Sequence, residues 1–284
     1  MNAQRNTWAS WTWLMFGYAF LYVPIILLII FSFNKSRLVT VWAGFSTKWY
    51  GELFKDERML DGAILSLKLA LMSATTSTVL GTMAALLLVR FRFAGKTLFG
   101  GLVTAPMVMP EVITGLSLLL LFVWLQQLFN MSSGFGFSGL WIAHVTFSVA
   151  FTTVAIAARL REMDLSLEEA AMDLGASPLK TFFVITLPII SPALVSAWLL
   201  GFTLSVDDLV ISSFVAGPGS TTLPMIVYSS VRLGVSPKIN ALATLIVTLV
   251  TLGVTLAGIW MYRQEKKRER EIAQAFAEAH NVAR

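Results

Sequence analysis

The chain has 284 residues, 56% of them hydrophobic and 13% charged, with a mean hydropathy of +0.75. Soluble domains carry about 25% charged residues, and a water-soluble fold of this length has no way to hide so much apolar surface, so the composition indicates a polytopic membrane protein. The net charge of +5 is spread between apolar runs, which excludes a nucleic-acid patch, and the absence of cysteine with only two distant histidines, His144 and His280, excludes disulfides, thiolate chemistry and a metal centre.

Six stretches reach the roughly 20 apolar residues that a helix needs to cross the hydrocarbon core. They lie at residues 11–33, 64–89, 98–125, 140–158, 183–204 and 240–262. The first competes with a signal peptide, given Arg5 upstream. Its apolar stretch is long for that role and no small-x-small cleavage site follows it before Asn34, so an uncleaved spanning helix is expected. Lys68 in the second stretch has a stem long enough to snorkel to the interface. Trp8, Trp11, Trp13, Trp42, Trp49 and Trp141 fall mostly near expected interfaces, as an aromatic belt does.

An even helix count puts both termini on one side. The short loop with Arg90, Arg92 and Lys96 contains no acid, and the N-terminus, the 159–180 loop and the tail share its basic character, so all four are expected in the cytoplasm. The expected organisation is a cytoplasmic N-terminus at 1–10, a six-helix domain at 11–262 with a cytoplasmic loop at 159–182, and a cytoplasmic tail at 263–284. The tail has charged pairs at helical spacing and reads as a solvated helical extension.

Residues 166–188 read SLEEAAMDLGASPLKTFFVITLP. Ser166 with Glu169 matches a capping box, Gly175 suits the left-handed position that ends a helix, and Ser177 followed by Pro178 suits the start of another. Pro188 is expected to bend the chain into the fifth span. The expected product is a compact helical corner outside the membrane, with Ala170, Ala171 and Gly175 permitting close approach of a partner; an ordinary capped loop helix is the bland alternative. Three acids stand out elsewhere. Glu111 follows Pro106 and Pro110, and Asp207 and Asp208 follow Ser205. A charged group at the bilayer centre costs about 2.5–3.5 kcal/mol on insertion scales, which makes such acids functional candidates. The competing readings are an interfacial helix end for the aspartates and a cation on a partner subunit for Glu111. Trp42, Trp49, Tyr50 and Tyr228 offer cation–π faces or serve as interface anchors, and His144 is expected to pack or hydrogen-bond. Gly217-Pro218-Gly219 reads as a turn and residues 223–233 as a short helix.

Glu169-Ala170-Ala171, Gly175 and Ile185-Thr186-Leu187-Pro188 resemble the EAA loop of ATP-binding-cassette importer permeases, E-A-A, three residues, G, nine residues, I-x-L-P, at every position. Residues 39–54, 105–122 and 207–246 further resemble the polyamine branch. The resemblance implies an all-α, six-span permease of the MetI-like, type I fold in the bacterial inner membrane. It implies a coupling loop in which Glu169, Ala170, Ala171, Gly175, Leu187 and Pro188 serve a partner ATPase. Asp207, Asp208, Glu111, Ser205 and Trp49 are the expected substrate pathway, for putrescine or for spermidine or another small cation. The expected partners are a second homologous permease, an ATPase homodimer that binds the ATP and Mg, a periplasmic polyamine-binding protein, and membrane lipid. No catalysis and no cofactor are expected in this chain, which has no G-x-x-x-x-G-K-[ST] loop. An ion-coupled carrier fits poorly without internal repeats, and a membrane enzyme fits poorly without a catalytic cluster.

Overall fold

The computed structural model describes residues 7–38, 41–130, 135–233 and 236–253, together with residues 255, 259, 263 and 266. Among the described residues the chain is helical apart from an antiparallel bridge between Asn34 and Phe45. The elements are α1 (Thr7–Ser32), α2 (Lys48–Leu53), α3 (Glu57–Arg90), α4 (Lys96–Val108), α5 (Glu111–Leu128) and α6 (Gly136–Glu162). They continue with α7 (Ser166–Asp173), the single turn α8 (Pro178–Thr181), a π-helical turn at Phe182–Thr186, α9 (Leu187–Val206), α10 (Val210–Val215) and α11 (Leu223–Leu233), then α12 (Pro237–Gly253). Of the tail expected at 263–284, all but Arg263 and Lys266 lies outside the described residues, as do residues 1–6.

Among the described residues five stretches are long and apolar enough to cross a membrane: Ser10–Ser32, Glu57–Arg90, Glu111–Leu128, Gly136–Glu162 and Pro178–Val206, with the shorter α12 at the position of the sixth. At 1.5 Å per residue the 34-residue α3 is about 50 Å long. That exceeds a hydrocarbon core of about 30 Å, so its charged ends at Glu57 and Arg90 reach polar surroundings.

Residues 57–232 form one compact unit. Its centre is the packing of α3, α6 and α9 on one another. The reason lies in a stripe along α3: Ser66, Ala70, Ser73, Ala74, Ser77, Gly81, Ala84 and Ala85 are all buried and recur at helical spacing. Between membrane helices, where lipid competes equally for apolar groups, such small residues let backbones approach closely enough for dispersion contacts and short polar bonds. Thr152 of α6 accordingly donates to the Ser77 carbonyl at 2.8 Å. A Cβ on Gly81 would collide with the Thr152 side chain, and one on Gly201 of α9 would lie 3.1 Å from Ser77 Oγ. Toward α7, Ala85, Ile156, Ala157, Leu160, Met163, Ile190 and Ala197 close an apolar cluster. Toward α10, a second cluster joins Phe122, Ala143, Phe147, Ile211 and Val215.

The third span expected at 98–125 is not one helix. Met109 (ψ 140°) and Pro110 (ψ 134°) are extended and separate α4 from α5. Proline disfavours the helical region for the residue before it and has no N–H to continue the ladder, whereas Pro106 is accommodated within α4. The two halves then go to different neighbours, α4 to α6 and α5 to α10.

The other unit comprises residues 1–56 and 233–284. Asn34 organises its loop: fully buried, it donates through Nδ2 to the Val41 carbonyl at 2.7 Å and accepts the Ala43 N–H at 2.9 Å, while its own carbonyl accepts from Trp49 Nε1 at 2.6 Å. Tyr50 and Ser32 hydroxyls meet at 2.7 Å, and Lys238 pairs with Asp56 at 3.2 Å.

Candidate functional site

The helical corner exists, though its details differ from expectation. Helix α7 does not start with a capping box: its N-cap is Leu165, and Asp164 accepts the Ser166 N–H at 3.0 Å. That bond holds the exposed Asp164 carboxyl below the usual carboxylate range. An Asx-type turn two residues upstream thus satisfies the Ser166 N–H that the Glu169 side chain would serve in a capping box. The far end matches expectation. Gly175 has φ +83°, Ala176 N–H bonds to the Ala171 carbonyl at 3.0 Å and Gly175 N–H to that of Met172 at 2.9 Å. This paired pattern ends a helix only with a left-handed residue after it, which a side chain resists. Ser177 caps α8 by accepting the Lys180 N–H at 3.4 Å, with Pro178 first in the helix.

Pro188 does not interrupt the helix. A continuous helical stretch runs Pro178–Val206, and Pro188 is at the start of α9 immediately after the π turn at Phe182–Thr186. The wider turn absorbs the hydrogen bond that proline cannot make.

Around this corner Glu169, Ala170 and Pro188 are exposed, and Ala171 and Leu187 are half-buried. Leu174 is 90% exposed and Leu179 73% exposed. The neighbouring Glu168 instead faces its own chain. Its Oε1 accepts from Arg90 Nη2 at 3.2 Å and from the Thr186 hydroxyl at 2.7 Å. Sequence reasoning passed over these three residues because Arg90 was read only as a topology signal. The available signal was the register of α7, on which Glu168 and Ala171 share one face at three-residue spacing.

The expected pathway residues separate into four settings. Asp207 is exposed at the C-cap of α9. Asp208 is engaged: Oδ1 accepts the Ile211 N–H at 3.1 Å, and Oδ2 accepts the Ser212 N–H and hydroxyl, each at 2.7 Å, so that it caps α10. Buried His144 joins this cluster, with Nε2 3.0 Å from Ser212 Oγ and 3.4 Å from Asp208 Oδ2, and Nδ1 2.7 Å from Ser205 Oγ. Ser205 and Asp208 are therefore brought together by a histidine that sequence reasoning assigned only a packing or bonding role. Glu111 is exposed as the first residue of α5, where the helix dipole favours a carboxylate. Trp49 is 2% exposed, its indole N–H held by Asn34. Lys68 lies over the Phe137 ring at 5.1 Å. The turn at Gly217–Gly219 closes with Ser220 N–H on the Gly217 carbonyl, and α11 spans Leu223–Leu233 as expected. Among the described residues no cluster of His, Cys, Asp or Glu is arranged to hold a metal.

Residues 77–270 match the family described as the binding-protein-dependent transport system inner membrane component. The chain is 59% identical over 263 residues to the putrescine transport system permease protein PotI of Escherichia coli strain K12, covering 92% of this chain and 94% of that one. It is 43% identical over 251 residues to the spermidine/putrescine transport system permease protein PotC of the same organism, covering 88% and 92%. A bacterial ABC transporter involved in alginate import has a chain with the same fold, at a TM-score of 0.67 and 15% identity, over 92% of this chain and 99% of that one. The five long apolar stretches, the corner built on Gly175 and these similarities agree, and the chain belongs to the binding-protein-dependent transport system inner membrane components, as a multi-pass permease subunit and not a catalyst.

Proposed function

We propose that this permease carries a polyamine, putrescine first, across the bacterial inner membrane, and that its α7–α8 corner receives the motion of a partner ATPase. The observation that carries the coupling role is the corner itself, where Leu174 and Leu179 stand exposed beside Glu169 and Ala170. Apolar side chains that rigid caps hold away from their own chain need a partner surface to cover them. Glu169, Ala170, Ala171 and Gly175 form that contact, and Leu187 and Pro188 carry it into α9. The ATPase, as a homodimer, binds the nucleotide and Mg; a second homologous permease completes the pathway, and a periplasmic binding protein delivers the substrate. Both termini and the corner face the cytoplasm, in keeping with the acid-free basic loop at Arg90–Lys96.

The substrate assignment rests on the two relatives, both named for putrescine. A dication needs negative potential along its way. Asp207 at the C-cap of α9 adds a carboxylate to the negative end of a helix dipole, a combination that costs stability and attracts an ammonium group. Asp208, Ser205 and His144 hold the backbone behind it, and Glu111 supplies a second exposed carboxylate. The test is uptake of radiolabelled putrescine by cells with and without this chain. Loss of uptake on deletion, restored by the wild-type chain and not by Asp207→Asn, supports the reading. Unchanged putrescine uptake with lost spermidine uptake would move the assignment to the larger polyamine.

A further inference from the structure

We infer that Arg90, Glu168 and Thr186 form a clasp that transmits the movement of the corner to α3, a helix with no covalent connection to it. The inference rests on the coupling role proposed above and goes beyond it, because none of the three residues belongs to the exposed docking face.

The chain attaches α7 covalently to two helices only, α6 through residues 163–165 and α9 through α8 and the π turn. Helix α3 is remote in sequence, with 77 residues between Arg90 and Glu168, yet it packs along both α6 and α9. Arg90 is its last residue and Glu168 lies in the first turn of α7. Each charge therefore sits where its own helix dipole favours it, and the two complementary ends face each other. A single oxygen, Glu168 Oε1, takes both the Arg90 guanidinium at 3.2 Å and the Thr186 hydroxyl at 2.7 Å. Both side chains of the ion pair are 16% exposed, a setting in which charge-assisted bonds are stronger than at an open surface. Thr186 is 2% exposed and belongs to the π turn that opens α9. One carboxylate thus joins the ends of three elements: α3, α7 and the turn leading into α9.

The tie is also one that can be remade. Arg90 uses Nη2 on Glu168, while its Nε is buried without an acceptor, as is the hydroxyl of Thr181 in α8. π-turns recur at functional sites within helices, and a carboxylate that pivots between a guanidinium and a hydroxyl follows a rotation of α7 without losing both partners. Arg90 and Glu168 are positioning residues in this scheme: neither meets substrate nor the ATPase.

The experiment uses the complete transporter in proteoliposomes and measures putrescine imported per ATP hydrolysed, alongside the melting temperature. Glu168→Ala and Arg90→Ala are expected to assemble, to melt below the wild type because each leaves a polar partner unpaired, and to lower the imported-per-hydrolysed ratio about five-fold or more, the low end of coupling between sites. Thr186→Val, which keeps the ion pair, lowers it less. The reciprocal pair Arg90→Glu with Glu168→Arg restores part of the ratio, the new charges opposing both helix dipoles. A wild-type ratio in both single variants overturns the clasp. So does a loss of assembly that the reciprocal pair does not repair, which would make the contact structural only. If a solute other than putrescine drives hydrolysis, the ratio is taken with that solute, and only the substrate reading falls.

Discussion

Asp207 and Asp208 are adjacent in sequence and differ in exposure and in hydrogen bonding. Asp208 satisfies two backbone donors and a hydroxyl, and an asparagine in its place loses one acceptor oxygen beside two donors. Leaving a buried donor unpaired costs about 1–3 kcal/mol, so Asp208→Asn is expected to lower the melting temperature of the purified transporter. Asp207 is exposed, and Asp207→Asn is expected to leave melting unchanged while reducing putrescine uptake. An equal loss of stability in both variants would contradict this division. Nothing in the sequence separates the two carboxylates, because the separation depends on α9 ending at Val206 and α10 starting at Val210, a boundary of a few residues inside one apolar run. The same limit hid Glu168: its importance comes from Arg90, which only the packing of α3 brings near. Gly81 is legible in neither composition nor pattern. A β-branched side chain there meets Thr152, and Gly81→Val is expected to destabilise the α3–α6 contact by about 1–3 kcal/mol, as overpacking does, read as a drop in melting temperature with Gly81→Ala milder.

Elements were easier to read where a single residue carries a strong backbone preference. Gly175, Ser177 and Pro178 mark the corner as expected, because left-handed backbone, a side-chain acceptor and a missing N–H are local properties. The capping box failed because Asp164, outside the pattern, captures the Ser166 N–H first. Prolines divided by context. Pro110 breaks a span that hydropathy reads as continuous, while Pro188 is absorbed by a π turn that no periodicity reveals. Hydropathy reports only what is apolar, and carries nothing of the backbone dihedrals or hydrogen-bond register that separate breaking from absorbing. The corner yields a prediction at this scale. Gly175→Val, which forces a β-branched side chain into φ +83°, should leave the permease in the membrane and remove the ATPase from the complex purified through this chain. Retention of the ATPase at the wild-type level would mean that the corner's shape does not matter to docking.

For the molecule as a whole, the composition already contained the membrane, since a chain that is 56% hydrophobic has more apolar surface than its own packing covers. Residues 10–27 of α1 are exposed, so lipid or a neighbouring subunit is required to cover them. Sidedness is an expectation from charge in the sequence and is open to direct measurement, because the chain contains no cysteine. Single cysteines at Ala176 and at Gly219 are expected to react with a membrane-impermeant maleimide from opposite faces, Ala176 only after the cytoplasmic face is opened. Labelling at Ala176 from outside, with Gly219 protected until the cytoplasmic face is opened, would invert the topology and place the corner where no ATPase can reach it. The most direct test of the central claim is ATP hydrolysis by the reconstituted transporter with its binding protein, across a panel of polyamines and amino acids. The account predicts stimulation by putrescine that requires this chain and disappears with Gly175→Val. Hydrolysis indifferent to every solute, or stimulated equally in complexes that lack this chain, would contradict it.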